Sequence, residues 1–131
     1  MRLPSPRRSA AALLLLAALT ACPGPPQNTL GPATRRYVVR GEVVRVADEA
    51  GRRSIFIRHE AIPDFVDRTG ARVGMASMTM PFPAGPRVTA LELHPGDKVR
   101  FRFGVDWERN VTELEEVERL PASTALSFGK P

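Results

Sequence analysis

Lys98-Val99-Arg100-Phe101-Arg102-Phe103 alternates charge and apolar bulk without a break. That period of two puts Val99, Phe101 and Phe103 on one face and three cations on the other. It is the signature of a strand with one buried side. Other stretches carry the same composition. Tyr37 to Val46 is rich in β-branched residues and has Gly41 inside it, where an isolated glycine suggests a bulge or a sharp bend. Ser54 to His59 places Ile55, Ile57 and His59 on one face. Ser77 to Phe82 is bounded by prolines, and Val111 to Leu120 closes the series. Glu113 to Glu118 has helical propensity, but the Val111 start after a turn at Asp106 to Asn110 favours strand. A further short strand is expected around Val88 to Leu91, before the turn His94-Pro95-Gly96-Asp97. Glu60 to Gly74 reads as a loop. Five short strands with no amphipathic helix predict an all-β domain over residues 37–120, a small closed barrel or a sandwich. Residues 121–131 read as a flexible tail.

The first third of the chain has another character. Arg2, Arg7 and Arg8 precede the apolar stretch Ala10 to Ala18, too short to span a bilayer and arranged as a signal peptide. Leu19-Thr20-Ala21-Cys22 follows, and it resembles the bacterial lipobox. The resemblance implies that residues 1–21 are a lipoprotein signal, with Cys22 the acylated first residue of the mature chain; the alternative is an ordinary secretory signal with a chance cysteine. Pro23 after it is not the aspartate that calls for inner-membrane retention, so a periplasmic face with an outer-membrane anchor is preferred. Residues 22–36, rich in Pro and Gly, read as a disordered tether.

The single cysteine excludes an internal disulfide and Cys-rich zinc patterns. Without the three leader arginines the formal charge falls from +5 to about +2. So slight an excess gives no electrostatic case for nucleic acid, which needs a clustered basic face.

Of the four methionines, three lie in Met75-Ala76-Ser77-Met78-Thr79-Met80. Methionine as core filler is ordinarily scattered. Met78 and Met80, two apart on a strand, project from one face. If that strand pairs with the one ending at His59, an imidazole and two thioethers converge. Neutral soft donors select Cu(I) or Ag(I) over Mg²⁺, Ca²⁺ or Zn²⁺. The same row also reads as ordinary core, with His59 a hydrogen-bonded surface residue.

His59-Glu60-Ala61-Ile62-Pro63, then Met75-x-x-Met78-Thr79-Met80-x-Phe82, then Pro95-Gly96-Asp97-Lys98-Val99-Arg100-Phe101, resembles the CusF-like periplasmic copper/silver-binding family. The match covers roughly residues 37 to 120. The resemblance implies a five-stranded OB-like barrel that carries Cu(I) or Ag(I), with His59, Met78 and Met80 as ligands. The family position three residues before the first Met ligand is often a Trp that caps the metal by a cation–π contact. Here it is Met75, which implies a third thioether as fourth ligand, or an apolar cap. The loop between His59 and Met75 is longer than the family usually has, with Asp67-Arg68-Thr69-Gly70 at its tip, so Val66 rivals Met75 for the capping position.

Glu60 is a candidate to orient the His59 imidazole through an outer hydrogen bond. His94 reads as an exposed turn residue, and Trp107 as hairpin or surface packing. No Ser/His/Asp or Cys/His nucleophile set can be assembled, so no enzyme is expected. The resulting expectation is a lipid-anchored, monomeric metallochaperone that passes Cu(I) or Ag(I) to an efflux pump component or a copper-insertion protein. The rival from another class is an adaptor lipoprotein whose OB-like barrel binds protein. An oligonucleotide or oligosaccharide binder is weakened by the single Tyr and single Trp, which leave little stacking surface.

Overall fold

The computed structural model describes residues 29–130; the leader, Cys22 and the first part of the tether lie outside the described residues. Five strands and one helical turn follow in order: β1 (Arg35–Glu49), β2 (Arg52–His59), β3 (Met78–Pro83), α1 (Pro86–Thr89), β4 (Lys98–Asp106) and β5 (Val111–Arg119). They form one antiparallel sheet in the order β3-β2-β1-β4-β5.

β1 is long because it serves two neighbours. Its first half, Arg35 to Glu42, pairs with β4, and its second half, Gly41 to Glu49, pairs with β2. Gly41 sits on the shared rung, opposite both His59 and Val99. A Cβ there would stand 2.6 Å from the Arg58 carbonyl oxygen and 3.1 Å from the His59 Cα. The glycine therefore permits close approach of two strands. The bulge expected at Gly41 lies instead between Val43 and Arg45, where the register with β2 shifts past the exposed Val44.

The sheet is all-β as expected, but it is not closed by a ladder of hydrogen bonds. Its two edge strands meet near a single parallel bridge, Ala84 to Leu114, reinforced by Gly85 N–H donating to the Leu114 carbonyl at 2.8 Å. The strand expected around Val88 to Leu91 is also absent; α1 begins in its place. Pro86 at the first turn supplies a helical φ and needs no donor there. Val88 and Thr89 then donate their N–H groups to the Gly85 carbonyl, each at 3.0 Å. The turn drives Val88, fully buried, into the core.

That core is a cluster of alternating inward residues. Phe82, Phe101 and Phe103 pack with ring centroids 5.0–5.9 Å apart. Around them lie Val43, Ile55, Ile57, Val99 and Leu114, all essentially inaccessible. Each such side chain contributes about 1.5–3 kcal/mol on burial. Glu113 to Glu118 is strand, as its position after the turn favoured, because Leu114 must join this core.

The long segment between β2 and β3 is a compact hairpin. Ile62 and Met75 exchange main-chain hydrogen bonds of 2.8 and 2.9 Å, and Val66 bridges Arg72. At the tip, Asp67 Oδ1 accepts from Thr69 N–H (2.8 Å), Thr69 Oγ1 (2.6 Å) and Ala71 N–H (3.1 Å). Gly70 turns the chain at φ +86°. Phe65 buries itself against Tyr37 and, edge-on, against Trp107. Trp107 donates its indole N–H to the Val66 carbonyl at 3.0 Å, while Tyr37 O–H accepts from Val66 N–H at 3.1 Å. Trp107 is thus the post to which the hairpin is tied.

Candidate metal centre

β2 and β3 pair antiparallel with His59 opposite Met78, Ile57 opposite Met80 and Ile55 opposite Phe82. Residues directly opposite have Cβ atoms roughly 4.5–5.5 Å apart, and diagonal neighbours about 7–8 Å, within reach of long side chains. His59 is therefore the direct neighbour of Met78 and the diagonal neighbour of Met80. The period of two gives this pair of strands an inward face of His59, Ile57, Ile55, Met78, Met80 and Phe82. None of them is acidic.

Burial varies steeply along this face. His59 is fully buried, Met80 is half-buried against the core, and Met78 is 47% exposed. The imidazole packs edge-on against Phe82, ring centroids 6.3 Å apart. Its Nδ1 lies 2.7 Å from the Glu60 main-chain oxygen. A carbonyl only accepts, so Nδ1 carries the proton and donates it. In the neutral ring Nε2 is then the nitrogen that carries the lone pair. It is buried and has no hydrogen-bond partner among the described residues. An unsatisfied buried polar atom costs about 1–3 kcal/mol. A lone pair left open next to two thioethers fits a soft cation. A main-chain carbonyl on the opposite ring nitrogen is the usual support for a metal-ligating histidine.

The orienting hydrogen bond expected from Glu60 comes from its backbone, not its carboxylate. The carboxylate is gripped by Arg40, whose Nε and Nη2 donate at 2.9 and 2.8 Å, and by Ser127 N–H at 2.8 Å. Burial raises the Glu60 pKa, but the Arg40 and Ser127 hydrogen bonds and the Arg40 charge together pull it below the usual glutamate value.

Met75 stands opposite Ile62, and this bridge keeps the register of the His59–Met78 rung across the break at residues 76–77. Directly opposed residues share a face, and Ile62 is buried, so Met75 lies on the core side, half-buried. Val66, the rival for the capping position, is instead held at the Tyr37 and Trp107 end of the hairpin. His94 is exposed in its turn, with Nδ1 3.9 Å from Asp97. Cys22 lies outside the described residues.

Among the described residues, no three His, Cys, Asp or Glu side chains gather where a metal ion could sit. A hard-cation or zinc centre of those ligands is absent there, and the donors that do come together are one imidazole and thioethers. Sequence reasoning overlooked the residues after Leu120. Ser127, Phe128 and Gly129 pack beside this site, and the one signal for them was the apolar pair Leu126 and Phe128 in a tail otherwise made of small and polar residues and proline.

A five-stranded antiparallel domain whose β2–β3 pair carries one imidazole and two thioether side chains on one face is a small β-protein with donors of the kind a soft metal ion takes. The model of the family described as copper binding periplasmic protein CusF matches residues 36–118, and the chain belongs to that family. The family binds Cu(I) and Ag(I). No curated protein and no solved structure matches the chain.

Proposed function

We propose that this chain carries Cu(I) or Ag(I) in the periplasm at His59, Met78 and Met80, and hands the ion to a partner protein. The observation that carries the reading is the His59 Nε2 lone pair, buried and unpartnered, on the rung shared with Met78 and diagonal to Met80. The ion is cargo. Neutral soft donors hold it without charge compensation, and thioethers exchange one at a time with an acceptor's ligands. Met75 closes the site on the hairpin side, as a third thioether and fourth ligand or as an apolar cap where relatives often carry an indole. Cys22, lipidated, would tether the domain to a membrane, with the outer membrane preferred. An efflux component or a copper-insertion protein is the acceptor this chemistry suits, and the barrel works as a monomer in an OB-like manner.

The test is a Cu(I) titration of the mature chain under reducing conditions against a competing chelator. One-to-one binding that is lost in the Met78→Ala/Met80→Ala double variant supports the reading. Absence of binding, or binding untouched by the double substitution, refutes it.

A further inference from the structure

The chain beyond β5 has no strand, yet it is held at five points. Leu120 N–H donates to the Lys98 carbonyl at 2.7 Å, the last bond beside the β4–β5 ladder. Lys98 Nζ donates to the Thr124 carbonyl at 2.6 Å. Ser127 N–H donates to Glu60 Oε1 at 2.8 Å. The Phe128 ring lies under the Arg58 guanidinium, 4.1 Å from ring centroid to Cζ. Finally Ser77 N–H donates to the Gly129 carbonyl at 2.8 Å. In the sheet order β3-β2-β1-β4-β5, this segment leaves one edge strand and ends beside the other. The family match stops at residue 118, so the tail residues that make these contacts lie beyond it.

The last contacts fall on the immediate neighbours of two site residues. Glu60 follows His59 and supplies the carbonyl that fixes the imidazole. Ser77 precedes Met78. One short segment thus holds the chain neighbours of both members of the His59–Met78 rung. There β3 is an edge strand whose ladder with β2 begins only at Met78. Pairing resumes only at the Ile62–Met75 bridge, and an edge strand at such a break frays readily.

We propose that residues 121–130 are a strap that fixes His59 relative to Met78, with Glu60, Ser77 and Ser127 as its positioning residues. The inference rests on the metal-carrier reading above. Ordering of the ligands before the ion arrives raises affinity and slows release, because the ion does not have to organise the rung itself.

The test compares the full mature chain with a chain ending at Leu120 and with Ser127→Pro, which removes the N–H that Glu60 accepts. Each is titrated with Ag(I) against a competing thioether ligand, and metal loss to excess chelator is timed. Near-UV circular dichroism of the metal-free proteins establishes that each is folded at the working temperature. The strap predicts about tenfold or greater loss of affinity in folded truncated chain, the scale seen when outer-shell partners of a metal ligand are removed. It also predicts faster metal loss, and the same direction in Ser127→Pro. Affinity and release indistinguishable from those of the full chain overturn it. If the truncated chain does not fold, Ser127→Pro decides alone. Failure of the full chain itself to bind Ag(I) strikes the carrier reading instead, which separates the two.

Discussion

Met78 and His59 face each other across one rung of the β2–β3 ladder, yet His59 is wholly buried and Met78 is 47% exposed. The rung runs from the interior to solvent, so one of its two donors can meet an incoming ion or an acceptor first. Met78→Ala should therefore separate binding from folding. An exposed side chain contributes little to stability, so the metal-free melting free energy should move by no more than about 0.5 kcal/mol. Cu(I) affinity should fall markedly. A thermal melt and a chelator competition on the same sample check both halves.

Metal removal should be visible as lost stability. An ion that binds only the folded chain stabilises it by about 2.7 kcal/mol when free metal is a hundredfold above Kd. For a domain of this size that corresponds to a rise in Tm of roughly 4–8 °C per kcal/mol. Differential scanning calorimetry with and without Ag(I) should show the shift in the native chain and none in Met78→Ala/Met80→Ala.

Trp107 should act on the site region through the hairpin it anchors. Trp107→Phe keeps an edge-on ring for Phe65 but removes the donor to the Val66 carbonyl. The expected loss is about 1 kcal/mol. Amide exchange should accelerate at Val73 and Met75, whose N–H groups bond Phe65 and Ile62 within that hairpin. The amides of β4 and β5 away from Trp107 should be far less affected.

Phe82 is the common neighbour of Phe101, Phe103 and the His59 ring. Phe82→Ala should cost about 3–5 kcal/mol, the range for emptying a buried aromatic position. Urea denaturation measures it as a lower midpoint.

Acid sensitivity should trace in part to Asp106. Its carboxylate, buried to 1% exposure, accepts N–H bonds from Arg109 at 3.0 Å and Gly31 at 2.8 Å. The Arg109 N–H lowers its pKa; burial opposes this, while the Gly31 and Glu108 N–H groups and the Arg109 charge add to the lowering. A depressed folded-state pKa contributes stability above the unfolded value, near 3.9, and loses it as pH falls toward the folded value. Asp106→Asn should be less stable than the native chain at neutral pH, and the gap should narrow on acidification. Melts of the metal-free chain from pH 7 downward check this.

Much of the architecture is legible in short-range pattern. The alternation in Lys98 to Phe103 fixes which side of β4 is inward, and the two-residue spacing of Met78 and Met80 puts both on one face whatever the sheet order. The pairing of Met78 with His59 could be anticipated only as one arrangement among several, because register depends on the whole hairpin between them. Val88 misleads by β-propensity: Pro86 ahead of it starts a helical turn, and the core accepts Val88 from that turn equally well. Gly41 signals an irregularity correctly but not its kind, since a bulge and a close approach demand the same residue. The tail is the least legible part. Ser127 and Gly129 engage through main-chain groups, which every residue has, so composition carries no trace of their contacts.

The divided pairing of β1 also has a mechanical consequence. The chain enters the domain past Gly31, pinned to Asp106, and then runs through eight rungs with β4, from Arg35–Val105 to Glu42–Lys98. Tension applied from the N-terminal side loads those rungs one after another. The β1–β2 ladder, which ends at His59, begins only at Gly41, while Glu60 just beyond it is bonded to Arg40. A leash pulling at that end would load the β1–β4 rungs ahead of the β1–β2 rungs, and its pull would reach the donors through the Arg40–Glu60 contact at the border between them.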